Sequence, residues 1–437
     1  MIAEAQDGEK RTAGESVTGS ASARGRGTGW RRYAKAVGRP IAILLSLQLM
    51  GGIILSPVRT FFPIYLRGLG YPVLLISALV TGKQIMGFLG AWAGGAMSDS
   101  LGRKQTLSLG LAGALLATLT FVIPSTLWIA PLWILSGFCG GLQTVGAQSY
   151  LLDNADHDRL GVLTAFYNWG MTLGGTLGSP LAGFLLDNWD FRTFGFTVTL
   201  FTLVPIAISL FALPRCKVQL AHAALPPKGL FGYGELVARR PIIALAFLRF
   251  FPTFYYGMAL LLIPLILNDS GASAGTIALY AMASQATASL GQIIVGRAAD
   301  RLGSKWPTLV VFTILIISIF GTAVFSSRLW GILAFAILGI TAAWSLSTLM
   351  PSLVARAATI QERGRVLGWV HLWWNLGMIL GSMAGGAAYT RGAGVPFFIA
   401  GFANLCAIVL AFLFFRMAPV VEVPQVREPT SQGAADV

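Results

Sequence analysis

The chain has 437 residues, of which 55% are hydrophobic and only 11% are charged, and its net charge at pH 7 is +14. Soluble domains carry about a quarter charged residues, so this composition excludes a water-exposed globular surface. The cations are spread between apolar runs rather than clustered on a soluble face, which argues against a nucleic-acid partner.

Residues 1–40 come first, rich in Gly, Ser, Thr and Arg, as in "GSASARGRGTGW". They hold too little apolar surface to offset folding entropy and are expected to be a disordered tail. Their basic stretch leads straight into a long apolar span rather than a short h-region with a cleavage site, so a secretory signal is not expected. Twelve apolar segments follow, near 41–66, 72–97, 105–124, 128–151, 162–186, 192–213, 241–267, 274–299, 307–326, 329–353, 366–389 and 394–416. The first and seventh each exceed the roughly 20 residues that cross a hydrocarbon core of about 30 Å. In lipid such a segment must satisfy its backbone internally, so each is predicted to be a helix. The expected organisation is an all-α integral membrane protein. Residues 41–213 form one six-helix bundle, 214–240 a cytoplasmic connector broken by Pro226-Pro227, 241–416 a second bundle, and 417–437 a cytoplasmic tail.

Most Lys and Arg residues fall in the tails, the connector and the even-numbered loops, whereas the odd-numbered loops hold only Arg67, Arg192, Arg328 and Arg391. By the positive-inside rule both termini are cytoplasmic. The expected location is a plasma membrane of the bacterial inner-membrane kind. Cys139, Cys216 and Cys406 are too few and too scattered for a disulfide framework or a metal site. No cofactor is expected, and the protein is read as a monomer in contact with membrane lipid.

The chain also repeats itself. "GAMSDSLGRK" at Gly95–Lys104 returns as "GRAADRLGSK" at Gly296–Lys305, and one constant offset pairs Asp99 with Asp300, Pro63 with Pro264, Gln84 with Gln285 and Gly90 with Gly291. Farther on, the offset grows by one and pairs Gly175 with Gly377 and Gly183 with Gly385. Two halves related in this way are the sequence sign of a transporter built from parallel repeats, with a substrate site between them at mid-membrane. Helices one, four, seven and ten, with two, five, eight and eleven, are expected to line or gate that site, leaving three, six, nine and twelve to face lipid.

These decapeptides resemble the loop signature of the major facilitator superfamily: Gly, three residues, Asp, a basic residue, any residue, Gly, Arg, then Arg or Lys. The resemblance covers about Pro40 to Arg416. It implies two pseudo-symmetric six-helix bundles, alternating access, and a gating role for Gly95, Asp99, Gly102, Arg103, Lys104, Gly296, Asp300, Arg301, Gly303 and Lys305. Asp99 is expected to pair with Arg103 and cap a neighbouring helix, and Gly95 to admit a close helix contact. Ser100 and Ser304 depart from the signature, so the first copy should latch less firmly, leaving the second to Asp300, Arg301 and Lys305. Proton-coupled drug antiporters of this superfamily carry an Arg in helix four, where this chain has Gly137. Their helix-five motif is matched only in part by Gly175, Ser179-Pro180 and Gly183-Phe184.

Substrate chemistry has to be read from polar residues inside the spans. Asp153, Asp187 and Asp269 sit at helix ends, whereas Arg59, Lys83 and Arg249 lie within spans. A charge at the bilayer centre costs at least about 2.5–3.5 kcal/mol, so each cation needs a wet cavity or a partner. With no acid among the spans, the partner is expected to be an anionic or carboxylate-bearing small-molecule substrate. Gln48 shares a helix face with Arg59, as do Thr253 and Tyr256 with Arg249. Gln84, Gln143, Asn168, Gln285, His371 and Asn375 complete the candidate lining, with Asn375 and Ser382 able to orient the His371 ring. Proton coupling would need a group that changes charge, and Lys83 and His371 are the candidates. The alternative function is efflux of drugs or other amphiphiles by proton antiport. An enzyme is not expected, since no HExxH or Walker loop is present.

Overall fold

A computed structural model describes residues 38–123, 125–155, 160–215, 236, 238–359 and 362–418. The expected tails, most of the connector and Cys216 lie outside the described residues. Those residues fold into twelve α-helices without a strand: α1 (Arg39–Gly68), α2 (Val73–Ser100), α3 (Arg103–Leu119), α4 (Thr126–Asn154), α5 (Leu160–Asn188), α6 (Phe191–Ala207), α7 (Arg240–Asp269), α8 (Ala274–Leu302), α9 (Lys305–Val324), α10 (Leu329–Ala357), α11 (Arg363–Tyr389) and α12 (Val395–Met417). Each expected span is one helix, with ends shifted by a few residues. Beyond Ala207, α6 widens into a π-helical turn, Ile208–Ala212, just after Pro205 removes a backbone donor.

Eight of the twelve are long and apolar enough to cross a membrane. The others are α3, with 17 residues, and α5, α8 and α11, which are diluted by glycine, hydroxyl and amide side chains. Such dilution belongs to helices that border a polar cleft rather than lipid. α7 is the most enclosed: 72% of its apolar window is buried inside the protein, against 33–50% for the other seven. Exposed side chains such as Phe201 and Phe211 at the end of α6, Val310 and Ile317 on α9 and Phe402 and Val409 on α12 give these helices the apolar outer faces that lipid contact requires.

Small residues set the helix spacing inside each bundle. Where α2 crosses α4, a Cβ at Gly90 would overlap the Phe138 carbonyl oxygen, one at Gly137 the Lys83 carbonyl oxygen, and one at Gly141 the Gly87 carbonyl oxygen. Backbones can approach this closely only without side chains, and van der Waals packing then replaces the hydrophobic drive that lipid does not supply. The seam matters to the site because it carries Lys83 and its neighbour Trp133. α7 and α11 meet in the same way, with Gly381 against the Phe254 carbonyl oxygen.

Two helix pairs join the bundles, α2 with α11 and α5 with α8. Gly386 of α11 lies against Ser77 of α2, and Gly183 of α5 against Ala278 and Gly275 of α8. These contacts fall in the half of the molecule that carries the α1–α2 and α7–α8 loops, termed here the distal end. The opposite, proximal end carries the α2–α3 and α8–α9 loops, where the two signature glycines Gly102 and Gly303 take φ of 104° and 73°, a left-handed region that other residues enter only at a cost.

Gly141→Leu forces a side chain into the α2 backbone and should cost at least the 1–3 kcal/mol or so of an overpacked core, seen as aggregation on size-exclusion chromatography of the detergent extract. Gly95→Leu, where an added Cβ meets nothing within 4 Å, should elute as wild type.

Candidate functional site: a cationic cleft between the bundles

Arg249 recurs with Pro252, Thr253 and Tyr256 at helical spacing along one face of α7. That face meets Ala343, Trp344 and Ser347 of α10 and Trp374 of α11 around a half-open pocket. Thr253 turns its hydroxyl back to the Arg249 carbonyl at 2.8 Å, and Tyr256 stands edge-on to Trp344 with ring centroids 5.6 Å apart. The guanidinium therefore projects among aromatic walls. His371 lies near enough to Arg249 for their charges to interact, and its ring stacks on Trp374 at 5.1 Å and 17°.

The cleft continues into the other bundle. Arg59 on α1 is close enough to interact electrostatically with both Lys83 on α2 and Tyr256 on α7 of the other bundle. Lys83 places its Nζ 3.5 Å from the centroid of Trp133 on α4. The Trp133 ring lies parallel to Phe62, with centroids 3.4 Å apart and planes inclined by 8°. Among the described residues, none of the three cations forms a salt bridge.

Other expected lining residues have different partners. Gln84 donates to Ser382 Oγ at 3.1 Å and Gln285 donates to Ser56 Oγ at 2.9 Å, so both amides link the bundles across the cleft. Gln48 packs against Gly170 of α5, Gln143 extends its amide toward Gly51, and Asn168 is exposed on α5. The expectation that Asn375 and Ser382 orient the His371 ring is corrected. Asn375 donates to the His371 backbone carbonyl at 2.9 Å, and Ser382 donates to the backbone of α7 and α11. Stacking on Trp374 holds the ring instead. From the sequence Trp344 and Trp374, with Trp369 and Trp373, could wall an apolar pocket, but nothing set them apart from other membrane tryptophans, and Ser347 had no signal of its own. Only the i, i+3 spacing within α10 marks the Trp344 and Ser347 pair.

The gates differ between the two ends. Distally, Asp269 at the end of α7 receives Arg67 from the end of α1, at 3.4 Å to each oxygen, and the Tyr389 hydroxyl at 2.9 Å. Asp187 of α5 accepts from the Gly275 N–H at 2.9 Å, placing a carboxylate on the positive end of α8. These bonds, with the two glutamine links, tie the bundles together from mid-span to the distal end. Proximally, the bonds stay within a bundle. Arg103 pairs with Asp99, reaches Asp153 at 3.0 Å and donates to the Ser98 carbonyl at 2.6 Å, while Lys104 donates to the Leu210 carbonyl at 2.7 Å. Arg239 grips Glu362 with two bonds of 2.9–3.0 Å, and with the Thr359 hydroxyl it holds that carboxyl down at about 2.

Three expectations about the signature are corrected. Asp99 caps no helix, its side chain being 77% exposed beyond the Arg103 pair. Open space rather than a helix faces Gly95, because the contacts between α2 and α11 lie toward the distal end. The first copy, not the second, forms the ionic cluster. Ser304 stands where Arg103 bridges two acids, and Arg356 takes the penultimate place on α10 that Asp153 holds on α4, so Asp300, Arg301 and Lys305 form no salt bridge among the described residues. Gly296 has only Thr348 nearby, at 3.8 Å from an added Cβ, and Lys305 lies over Trp306 at 5.6 Å.

Arg103→Ala should therefore lower the stability of the detergent-purified protein by about 1 kcal/mol, the scale of a partly exposed charge network, and Asp300→Ala should not shift the thermal midpoint.

The family model described as Major Facilitator Superfamily matches residues 41–265 and 245–435. Class B tetracycline resistance protein of Escherichia coli is 29% identical over 129 residues, 28% of this chain and 30% of that protein. The uncharacterized MFS-type transporter YcaD of Salmonella paratyphi B is 23% identical over 142 residues, 32% of this chain and 37% of that protein. The chain thus spans about a third of the length of these curated relatives. Among solved structures, a bacterial homolog to the human lysosomal transporter Spinster, in an inward-facing and occupied conformation, aligns with a TM-score of 0.69 at 14% identity, covering 89% of this chain and 97% of the other. A D-xylose-proton symporter aligns with a TM-score of 0.68 at 16% identity, covering 86% and 96%.

Proposed function

The chain belongs to the Major Facilitator Superfamily, and from that premise we propose that it is a secondary transporter, working by alternating access, that carries a small organic anion through the cleft between its bundles. One observation carries the reading: Arg59, Lys83 and Arg249 lie inside the spans with no salt-bridge partner among the described residues, and every described Asp and Glu sits at a helix end. Cations at this depth in the spans need a counter-charge, and an anion arriving from water supplies it. The acidic group meets Arg249, and the body of the molecule lies against Tyr256, Trp344 and Trp374. Such a pocket favours a carboxylate or sulfonate on an apolar or aromatic body over a hydroxylated sugar, because aromatic faces offer apolar area and few hydrogen bonds.

Positive charge in the proximal loops makes that end cytoplasmic, so the distal bonds close the outer side and the cleft opens inward. The membrane is a bacterial inner membrane in this reading, as the bacterial relatives suggest. Coupling to protons would run through Lys83 or His371, since no carboxylate among the described residues lies at mid-span. A second reading, efflux of amphiphiles, draws on the aromatic walls and the match to a tetracycline resistance protein.

Uptake into proteoliposomes of benzenesulfonate against the cationic dye ethidium separates the two readings. Arg249→Ala should weaken anion binding by about 2 to 5 kcal/mol, and Arg249→Lys should recover only part because the two-pronged guanidinium is lost. Ethidium transport that survives or improves in Arg249→Ala would favour efflux.

A further inference from the structure

Lys83 has no carboxylate partner among the described residues, yet its ammonium does not point into open space. It stands 3.5 Å from the centroid of Trp133, a ring that is only 2% exposed and is backed on its other face by Phe62. Tryptophan offers a cation the strongest aromatic face, and burial removes the water that would otherwise compete. Arg59, a charged neighbour of Lys83 within the same bundle, repels it. The backbone seam fixes the geometry from behind, because Gly137 of α4 lies directly against the Lys83 carbonyl. α11 meets α2 through Ser77 with Gly386 and through Gln84 with Ser382, pairs that offer Lys83 no opposing charge.

We propose that Trp133 is the stand-in counter-charge of the empty carrier: it holds Lys83 on its ring while the cleft lacks an anion, and releases it toward the anion when one binds between Lys83 and Arg59. The inference rests on the reading of the cleft as an anion site and adds to it a positioning residue that never touches the substrate. An anion entering there neutralises the repulsion from Arg59 and gives the ammonium an ionic partner stronger than a ring face. Each binding event must therefore break the contact between Lys83 and Trp133, and the strength of that contact is subtracted from anion affinity. Trp133 thereby tunes how tightly the substrate is held, and a weaker ring should bind the anion more tightly.

Isothermal titration of benzenesulfonate into the purified full chain tests this. A sulfonate stays ionised across the accessible pH range, so proton uptake by the ligand does not enter. Trp133→Phe keeps a ring under the ammonium but weakens its hold, and should tighten benzenesulfonate binding by about threefold or more, the lower range of aromatic–cation strengths. In a Lys83→Met background the same substitution should change affinity by less than a factor of about 1.5, because the two effects share one contact. Mere loss of packing would weaken binding, so the sign of the effect separates positioning from structure. Wild-type protein labelled with 5-fluorotryptophan gives a second readout. Its Trp133 resonance, assigned by loss in Trp133→Phe, should shift on adding benzenesulfonate and stay in place in Lys83→Met. Unchanged or weaker binding in Trp133→Phe, or a resonance that does not move although the anion binds, would overturn the inference while leaving the anion site standing. Absence of benzenesulfonate binding by wild type would instead remove the anion reading, and this inference with it.

Discussion

Positive charge without an internal partner is the constraint on which the rest of the structure depends. Lipid makes a buried ammonium or guanidinium costly, and the chain places three of them within its spans. Aromatic faces, water in the cleft and transient ligands are the remaining ways to accommodate them. The architecture supplies these features together: polar, glycine-rich helices α5, α8 and α11 border a cleft, α7 presents Arg249 into an aromatic pocket, and Trp133 sits under Lys83.

The division of labour between the ends follows from which residues the repeat keeps and which it changes. At the distal end, acids and bases from different bundles meet. Arg67 finds Asp269, and Asp187 finds the amino terminus of α8. Nearer mid-span, two glutamines related by the repeat each cross to a serine of the opposite bundle. At the proximal end the first signature copy folds its charges back into its own bundle, through Arg103 and Asp153. One end is thus joined by bonds between bundles, while the other consists of two separately braced surfaces, the arrangement a rocking carrier requires when its cleft opens on one side.

Much of this was legible in the sequence because it depends on periodicity and repetition. Apolar length marked the twelve helices, the constant offset marked the two halves, and spacing placed Arg249, Thr253 and Tyr256 on one face of α7. Contacts between helices were not legible, since the phase of one helix does not say what its face meets. Thus Trp344 and Trp374 looked like any membrane tryptophans until α10 and α11 brought them to Arg249. Gln84 and Gln285 looked like lining residues, yet they hydrogen-bond across the cleft. Arg67 was read only as a topological charge, although the enlarged repeat offset that pairs Gly175 with Gly377 also pairs it with Asp269. The unequal signature copies were misjudged for a related reason: Ser304 was visible, but the dependence of the cluster on Asp153 of a different helix was not.

The central claim, that an anion completes the cleft, is tested most directly by thermal unfolding of the purified protein with benzenesulfonate and with benzenesulfonamide, its neutral counterpart of nearly the same shape. Ligand that binds only the folded state stabilises it by mass action, by about 2.7 kcal/mol at a hundredfold excess over Kd. The midpoint should rise with the sulfonate, change little or not at all with the sulfonamide, and lose the rise in Arg249→Ala. Equal stabilisation by both compounds, or a sulfonate effect that persists in Arg249→Ala, would contradict it.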